Sequence, residues 1–384
     1  MAALSRRGWL AFVGLFALYA CIVIPLGVRK GDDVATEITQ AHRILDGLPL
    51  YQTAQTQGVW WTPFALLVML PIAALADWSL ALAKACWGVL GMVALAWSVF
   101  ETGRRWGWRP ALAALGVVLF PVHNNFHHLN LETMLLALLV ATAGDLADGR
   151  QARAGVWVGL ATALKIFPGL LLPYFALRRQ WRALGSSVAV LAGSTLLALL
   201  PYGPRGALQA LGNWLGLMVH GENFQGGTIT GLHMQKLGRL AFAWGGVPYS
   251  TIALHLVAVG LVAATLARRP PVDDPPLEVG SVALLSVLLA PIAWLHTFTL
   301  GYLAWVAVVA YAPADTRARR AGLWVAAIYA STALAALPLP RALGFLTFFD
   351  DTLGALLALA LLLACRRARR HASAPLTSGS PLPA

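Results

Sequence analysis

The sequence predicts an all-α polytopic membrane protein, a bundle of roughly 10–12 helices that includes re-entrant half-helices. Three observations carry that prediction. Apolar runs of about 17–23 residues recur along the chain, the length a helix needs to cross a bilayer. The 384 residues are 59% hydrophobic and only 11% charged, with a mean hydropathy of +0.70. A soluble domain carries roughly 25% charged residues. Finally, the arginines gather in short clusters at Arg6/Arg7, Arg104/Arg105/Arg109, Arg150/Arg153, Arg178/Arg179/Arg182, Arg268/Arg269, Arg317/Arg319/Arg320 and Arg366–Arg370. That is the positive-inside pattern of short membrane loops.

The net charge of +12 is therefore a topology signal, not a nucleic-acid footprint. Alternating ten-residue segments are missing, which excludes a transmembrane β-barrel. The cysteines Cys21, Cys86 and Cys365 fall in apolar runs without metal-ligand spacing, and read as packing residues. No polar stretch is long enough for a separate soluble core. One transmembrane domain over 1–365 is expected, followed by a tail over 366–384 that is basic and then disordered.

The first helix is expected near Trp9–Val28, starting inside at Arg6/Arg7. Its length excludes a signal core, so it is read as retained. The outside loop 29–59 opens with three carboxylates, Asp32, Asp33 and Glu37, in a chain with 16 acidic residues. Ile38, Ala41, Ile44, Leu45 and Leu48 follow a helical period, predicting an amphipathic helix on the membrane surface, ended by Gly47 and Pro49. Segments 60–76 and 79–100 lie between an outside Trp60 and an inside Arg104. Parity then makes one of them re-entrant or only half-spanning, and Pro63 and Pro71 favour 60–76. Residues 110–122 and 131–147 predict a hairpin with its outside turn at Val122–Asn130. The apolar run 155–177 has arginines at both ends, so two half-helices with their tip near Lys165 are the preferred reading; the alternative is that the positive-inside rule fails at one end. A helix at 183–200 leads to a polar outside region, 201–249, and further helices are expected at 250–267, 279–296, 298–311, 321–338 and 345–365. Both termini then lie inside and every polar candidate lies outside.

Asp33 and Asp32 are the candidate catalytic residues. A carboxylate beside lipid can act as general base on a hydroxyl; the alternative is loop acids facing water or pairing with Arg29 and Lys30. His296 ends an apolar run, and an intramembrane ionisable group is a functional candidate by default; the alternative is an interfacial histidine. His123, His127 and His128 cluster with Asn124, Asn125 and Asn130, but lack zinc spacing, and only Glu132 adds an acid. Polar cavity lining is the preferred reading, with Asn130 singled out and no metal expected. Lys165 sits mid-run, where a charge costs about 2.5–3.5 kcal/mol on insertion scales. It either meets a lipid phosphate or pairs internally. Arg239, with Lys236 and His233, is a second candidate for an anionic headgroup, against solvated loop residues.

Several of these stretches together resemble glycosyltransferase family 87 of the C-type membrane glycosyltransferases, which includes polyprenyl-phosphate-mannose and arabinofuranose transferases. They are Asp33…Gly47…Tyr51, Trp60-Trp61-Thr62-Pro63-Phe64, the degenerate turn His127-His128-Leu129-Asn130, and Gly159-Leu160…Lys165-Ile166-Phe167-Pro168. Asn223-Phe224-Gln225-Gly226…Arg239 and Ala290-Pro291-Ile292-Ala293-Trp294-Leu295-His296 complete the set. The resemblance implies a C-type bundle in a bacterial inner membrane, acting at the periplasmic or exterior face. It implies a hexosyltransferase, with mannose the expected sugar. A polyprenyl-phosphate sugar would be donor, and a glycolipid or glycan hydroxyl the acceptor, with no nucleic acid and no cofactor. Asp33 would take the proton. His296, Lys165 and Arg239 would hold the lipid phosphate, and Asn130, Tyr51 and Gln225 would line the substrate site. The competing class is a flippase or transporter of a lipid-linked sugar, which also uses broken helices and interfacial basic residues.

Overall fold

The computed structural model describes residues 5–51, 61–220, 247–267, 274–290, 293–311, 316–330 and 351–373. Regular structure among the described residues is entirely helical. Helix α1 spans Arg6–Lys30 and is capped by Ser5, whose hydroxyl accepts the Gly8 amide at 3.1 Å. After Gly31 the chain turns into α2, Asp32–Leu45, the expected amphipathic helix. Its inner face buries Val34, Ile38, Ala41 and Ile44.

The parity argument is answered by a broken element. The first half, α3, spans Pro63–Val68, and the second, α4, spans Leu70–Trp78, with Met69 between them and Pro71 in the first turn of α4. Proline there costs no helical bond, because the first-turn amides have no intrahelical partner. Next come α5 (Leu80–Trp106), α6 (Trp108–Val117), α7 (Leu119–His128) and α8 (Glu132–Ala147). The expected turn at Val122–Asn130 is corrected here. Helix continues through His128, and the reversal is confined to Leu129–Leu131, with Leu129 left-handed at φ 54°. Their polarity suits a turn, but His123, Asn124 and Asn125 extend the helix.

The half-helix reading of 155–177 matches the structure. Helix α9, Gln151–Leu164, stops at an extended Lys165; a 3-10 turn over Phe167–Leu170 and α10, Leu171–Leu177, return the chain. Helix α11 covers Trp181–Leu199. Its successor α12, Gly203–His220, lies where a polar loop was expected, so the polar region shrinks to 221–246, outside the described residues. The remaining helices are α13 (Val247–Leu266), α14 (Pro275–Leu289), α15 (Tyr302–Tyr311), α16 (Thr316–Ala330) and α17 (Asp351–Ser373). Helix α17 carries the basic stretch Arg366–Arg370 as helix.

Among the described residues, three helical runs are long and apolar enough to cross a membrane by length and composition: Arg6–Lys30, Leu80–Trp106 and Trp181–Gly216. Breaks at Met69–Pro71 and at Lys165 divide two of the other apolar runs into shorter helices. Burial separates the layers. Helix α14 is buried along nearly its whole length, as are Tyr302–Val308 of α15. By contrast, Leu10, Leu18 and Ile22 of α1, Val89 and Val93 of α5, and Leu196 and Leu197 of α11 are exposed. Bare apolar helix faces around a packed centre are the surface a bilayer covers.

The two ends of the bundle differ in chemistry. At one end, Glu101 accepts Arg104 Nε at 2.9 Å and is also paired with Arg105, which reaches Asp148 at 2.9 Å. That guanidinium holds the Asp148 carboxyl below the usual carboxylate range. At the same end Glu278, buried at the start of α14, accepts Tyr174 Oη at 2.8 Å, Arg178 Nε at 3.1 Å and Arg366 Nη1 at 3.2 Å. These pairs tie α10, α14 and α17 together. Helix α8 separates this end from the other by about 24 Å, its 16 residues at about 1.5 Å each.

Candidate active site

At the opposite end the site is assembled by close backbone approach. Leu129 inserts its side chain beside α1. A Cβ on Gly27 would lie 2.7 Å from Leu129 Cδ2, and one on Gly31 would lie 2.7 Å from Leu129 Cδ1. Only glycine at both positions admits that contact. Trp87 Nε1 of α5 donates to the Leu129 carbonyl at 2.9 Å and fixes the left-handed residue from the other side. The next residue, Asn130, is thereby set against the start of α2. Replacing Gly27 with alanine is expected to destabilise the protein by about 1–3 kcal/mol through overpacking, visible as a lower melting temperature in detergent, and to reduce turnover. Unchanged values for both would show that the α1–Leu129 contact does not position the site.

Asn130 is the connecting residue. Its Nδ2 donates to Asp33 Oδ2 at 2.8 Å, while its Oδ1 accepts the Leu131 amide at 2.8 Å and Lys165 Nζ at 3.4 Å. Asp33 sits in the first turn of α2, where the helix dipole favours a carboxylate. It is partly exposed, and His128 Nδ1 lies 3.9 Å from its Oδ1. Asp32, one position earlier, is exposed and reaches Thr36 through its backbone carbonyl at 3.0 Å.

Lys165 owes its position to the end of α9 and to Thr62. The Thr62 hydroxyl caps α3, accepting the Ala65 amide at 3.2 Å, and also donates to the carbonyls of Ala163 and Leu164. The Lys165 ammonium forms an ion pair with Glu132 Oε1, in the first turn of α8. Both partners are buried, and Asn125 Oδ1 accepts the Glu132 amide at 3.1 Å. Completing the group, His296 Nε2 lies 3.7 Å from Glu132 Oε1, and its ring centroid is 6.0 Å from that of His128. His296 is 2% exposed, yet neither ring nitrogen has a hydrogen-bond partner, and neither does Glu132 Oε2. Buried polar atoms are satisfied in the great majority of cases. Such orphans beside an ion pair make this cluster the candidate place for a polar ligand.

The structure thus brings Asp33, Asn130, Lys165 and His296 into one cluster. Tyr51 lies elsewhere, in a second buried group with Ile44, Leu50, Leu66 and Trp214, where its hydroxyl donates to the Trp61 carbonyl at 2.9 Å. Gln225 and Arg239 lie outside the described residues. Among the described residues no group of three His, Cys, Asp or Glu side chains is placed to hold a metal. The residue sequence reasoning missed is Glu132. A lysine inside an apolar run needs a counter-ion, and an acid opening the preceding apolar helix was the signal available.

A family model described as glycosyltransferase family 87 matches residues 60–291, more than half of the chain. The chain belongs to glycosyltransferase family 87. Neither the comparison with curated proteins nor that with solved structures found a match. Within this family 87 chain, the matched segment contains Asn130, Glu132 and Lys165. Asp33 precedes it and His296 follows it, and the fold places both against those matched residues.

Proposed function

We propose that this glycosyltransferase moves a hexosyl group, with mannose the expected sugar, from a polyprenyl-phosphate donor to a hydroxyl of a glycolipid or glycan. The reaction is assigned to the outer face of a bacterial inner membrane. The observation that supports this most is the Asp33–Asn130–Lys165–Glu132–His296 chain, which sets a solvent-reachable carboxylate beside a buried ammonium–carboxylate pair and an unsatisfied imidazole.

In the proposed step, Asp33 accepts the proton of the acceptor hydroxyl as its oxygen bonds to the anomeric carbon. The bond from that carbon to the phosphate oxygen breaks, and its electron pair leaves on polyprenyl phosphate. Lys165 and His296 stabilise the charge that develops there. Asn130 links the two halves, since one side chain bonds both base and ammonium. Glu132 holds Lys165 before the donor arrives, so the buried charge is never unpaired. Among the described residues, Asp33 lies at the end of the bundle opposite Arg104, Arg105, Arg150, Arg153, Arg178, Arg179 and Arg182. Under the positive-inside rule, the site then faces outward.

The test uses purified protein in lipid nanodiscs with radiolabelled polyprenyl-phosphate mannose, an envelope glycolipid extract, and GDP-mannose as the rival donor. Label should pass to the acceptor from the lipid-linked sugar alone. Transfer from GDP-mannose in the absence of the lipid donor would overturn the donor assignment. Movement of the lipid-linked sugar across a liposome bilayer without transfer would replace the enzyme by a flippase.

A further inference from the structure

At the arginine-rich end of the bundle, far from the Asp33 site, a cavity of about 610 Å³ is lined by Gly149, Arg150, Arg153, Arg179, Trp181 and Arg182, with Gln151 and Ala152. Nothing in the proposed transfer uses it. Two turns of the same construction build it. In the first, the Gly149 and Arg150 amides donate back to Leu146 and Asp145 at 3.0 and 2.7 Å. In the second, the Arg179 and Gln180 amides donate to Ala176 and Phe175 at 3.0 and 2.9 Å. Each turn ends one helix and starts the next, so the N-termini of α9 and α11 open side by side on the cavity.

Three features give this cavity one electrostatic sign. Neither helix has a side-chain cap or an acid in its first turn, so both positive dipole ends are unanswered. Arg150 and Arg153 share Asp145, which they reach at 2.8 and 3.1 Å, and Arg150 also pairs with Asp148, itself shared with Arg105. Arg179 and Arg182 are exposed and have no acidic partner among the described residues. At least two full positive charges, those of Arg179 and Arg182, therefore remain in the cavity.

The second turn also departs from what backbone economy selects. Its left-handed residue is Arg179 at φ 54°, where the sister turn has Gly149 at φ 73°. Glycine is the residue that takes this conformation without cost. Beside Arg179, Leu177 is 75% exposed and Trp181 62% exposed, an apolar margin next to the charged mouth. Tryptophan at such a margin belongs at headgroup depth.

We infer that the cavity binds the phosphate headgroup of an anionic phospholipid, held by Arg179, Arg182 and the paired helix N-termini, with its acyl chains along Leu177 and Trp181. Basic pockets between membrane helices bind such headgroups by the same chemistry. The exposed apolar margin favours a lipid over free phosphate.

The full-length protein in a neutral detergent is titrated with phosphatidylglycerol, phosphatidylcholine or inorganic phosphate, and bound species are counted by native mass spectrometry. Wild type should retain phosphatidylglycerol in preference to phosphatidylcholine. The double variant R179G/R182Q should bind phosphatidylglycerol about 25-fold more weakly, two factors of about five for two surface charges. Glycine suits the left-handed position, so the melting temperature in neutral detergent should not fall, which separates lost binding from lost folding. Phosphatidylglycerol retained equally by wild type and variant would overturn the assignment. Inorganic phosphate bound where phosphatidylglycerol is not would overturn it in favour of a free-anion site.

Discussion

Asp33→Asn should abolish nearly all transfer while leaving the fold and donor binding intact. The loss expected for removing a general base is about 10²–10⁴-fold in kcat. The geometry makes this substitution clean. Asp33 Oδ2 accepts from Asn130 Nδ2, and an asparagine carbonyl can accept the same bond, so the Asn130–Lys165 contact persists. The contrast is Asp32→Asn, which should retain activity within a few-fold, because Asp32 is exposed and bonded through its backbone. Comparing kcat for both variants, with donor binding measured in the same nanodiscs, separates the two carboxylates. Full activity in Asp33→Asn, with activity lost in Asp32→Asn, would move the base one residue back.

Lys165→Met should have the largest effect on stability. The ammonium is buried against Glu132, which is 0% exposed, and removing it strands a carboxylate in the packed centre. Breaking a buried pair from one side costs about 3–5 kcal/mol. The expected result is a marked fall in melting temperature together with loss of turnover. The double variant Lys165→Met/Glu132→Leu removes both charges and should recover most of the stability, since a buried pair replaced by apolar side chains is often neutral or better. It should not recover activity, because Asn130 and His296 would then face no cation. Thermal unfolding in detergent and transfer in nanodiscs read the two effects separately. A double variant as unstable as the single one would mean that Lys165 acts through packing and not through charge.

The local elements were legible because each has a local cause. The period of Ile38, Ala41 and Ile44 marks α2. Paired arginines around an apolar run with Lys165 at its middle mark the half-helices α9 and α10. Prolines mark the α3–α4 break. The misreadings have causes too. Polar side chains in His123–His128 resembled a turn, yet they extend α7 until Leu129 takes the left-handed conformation. Helix α12 was hidden because its glycines, Pro204 and Arg205 dilute its apolar character.

By itself, the sequence determined an all-helical membrane chain, its breaks, the family pattern and the candidates Asp33, Asn130, Lys165 and His296. Those follow from composition, periodicity and short motifs, which act over a few turns of helix. Only the tertiary structure decided that these four form one cluster, that Tyr51 packs elsewhere, and that Glu132 is the buried partner of Lys165. It also decided that two separate arginine turns share one cavity. The reason is physical: ion pairing and close backbone contact depend on how helices cross, and Gly27 and Gly31 set that crossing by what they lack.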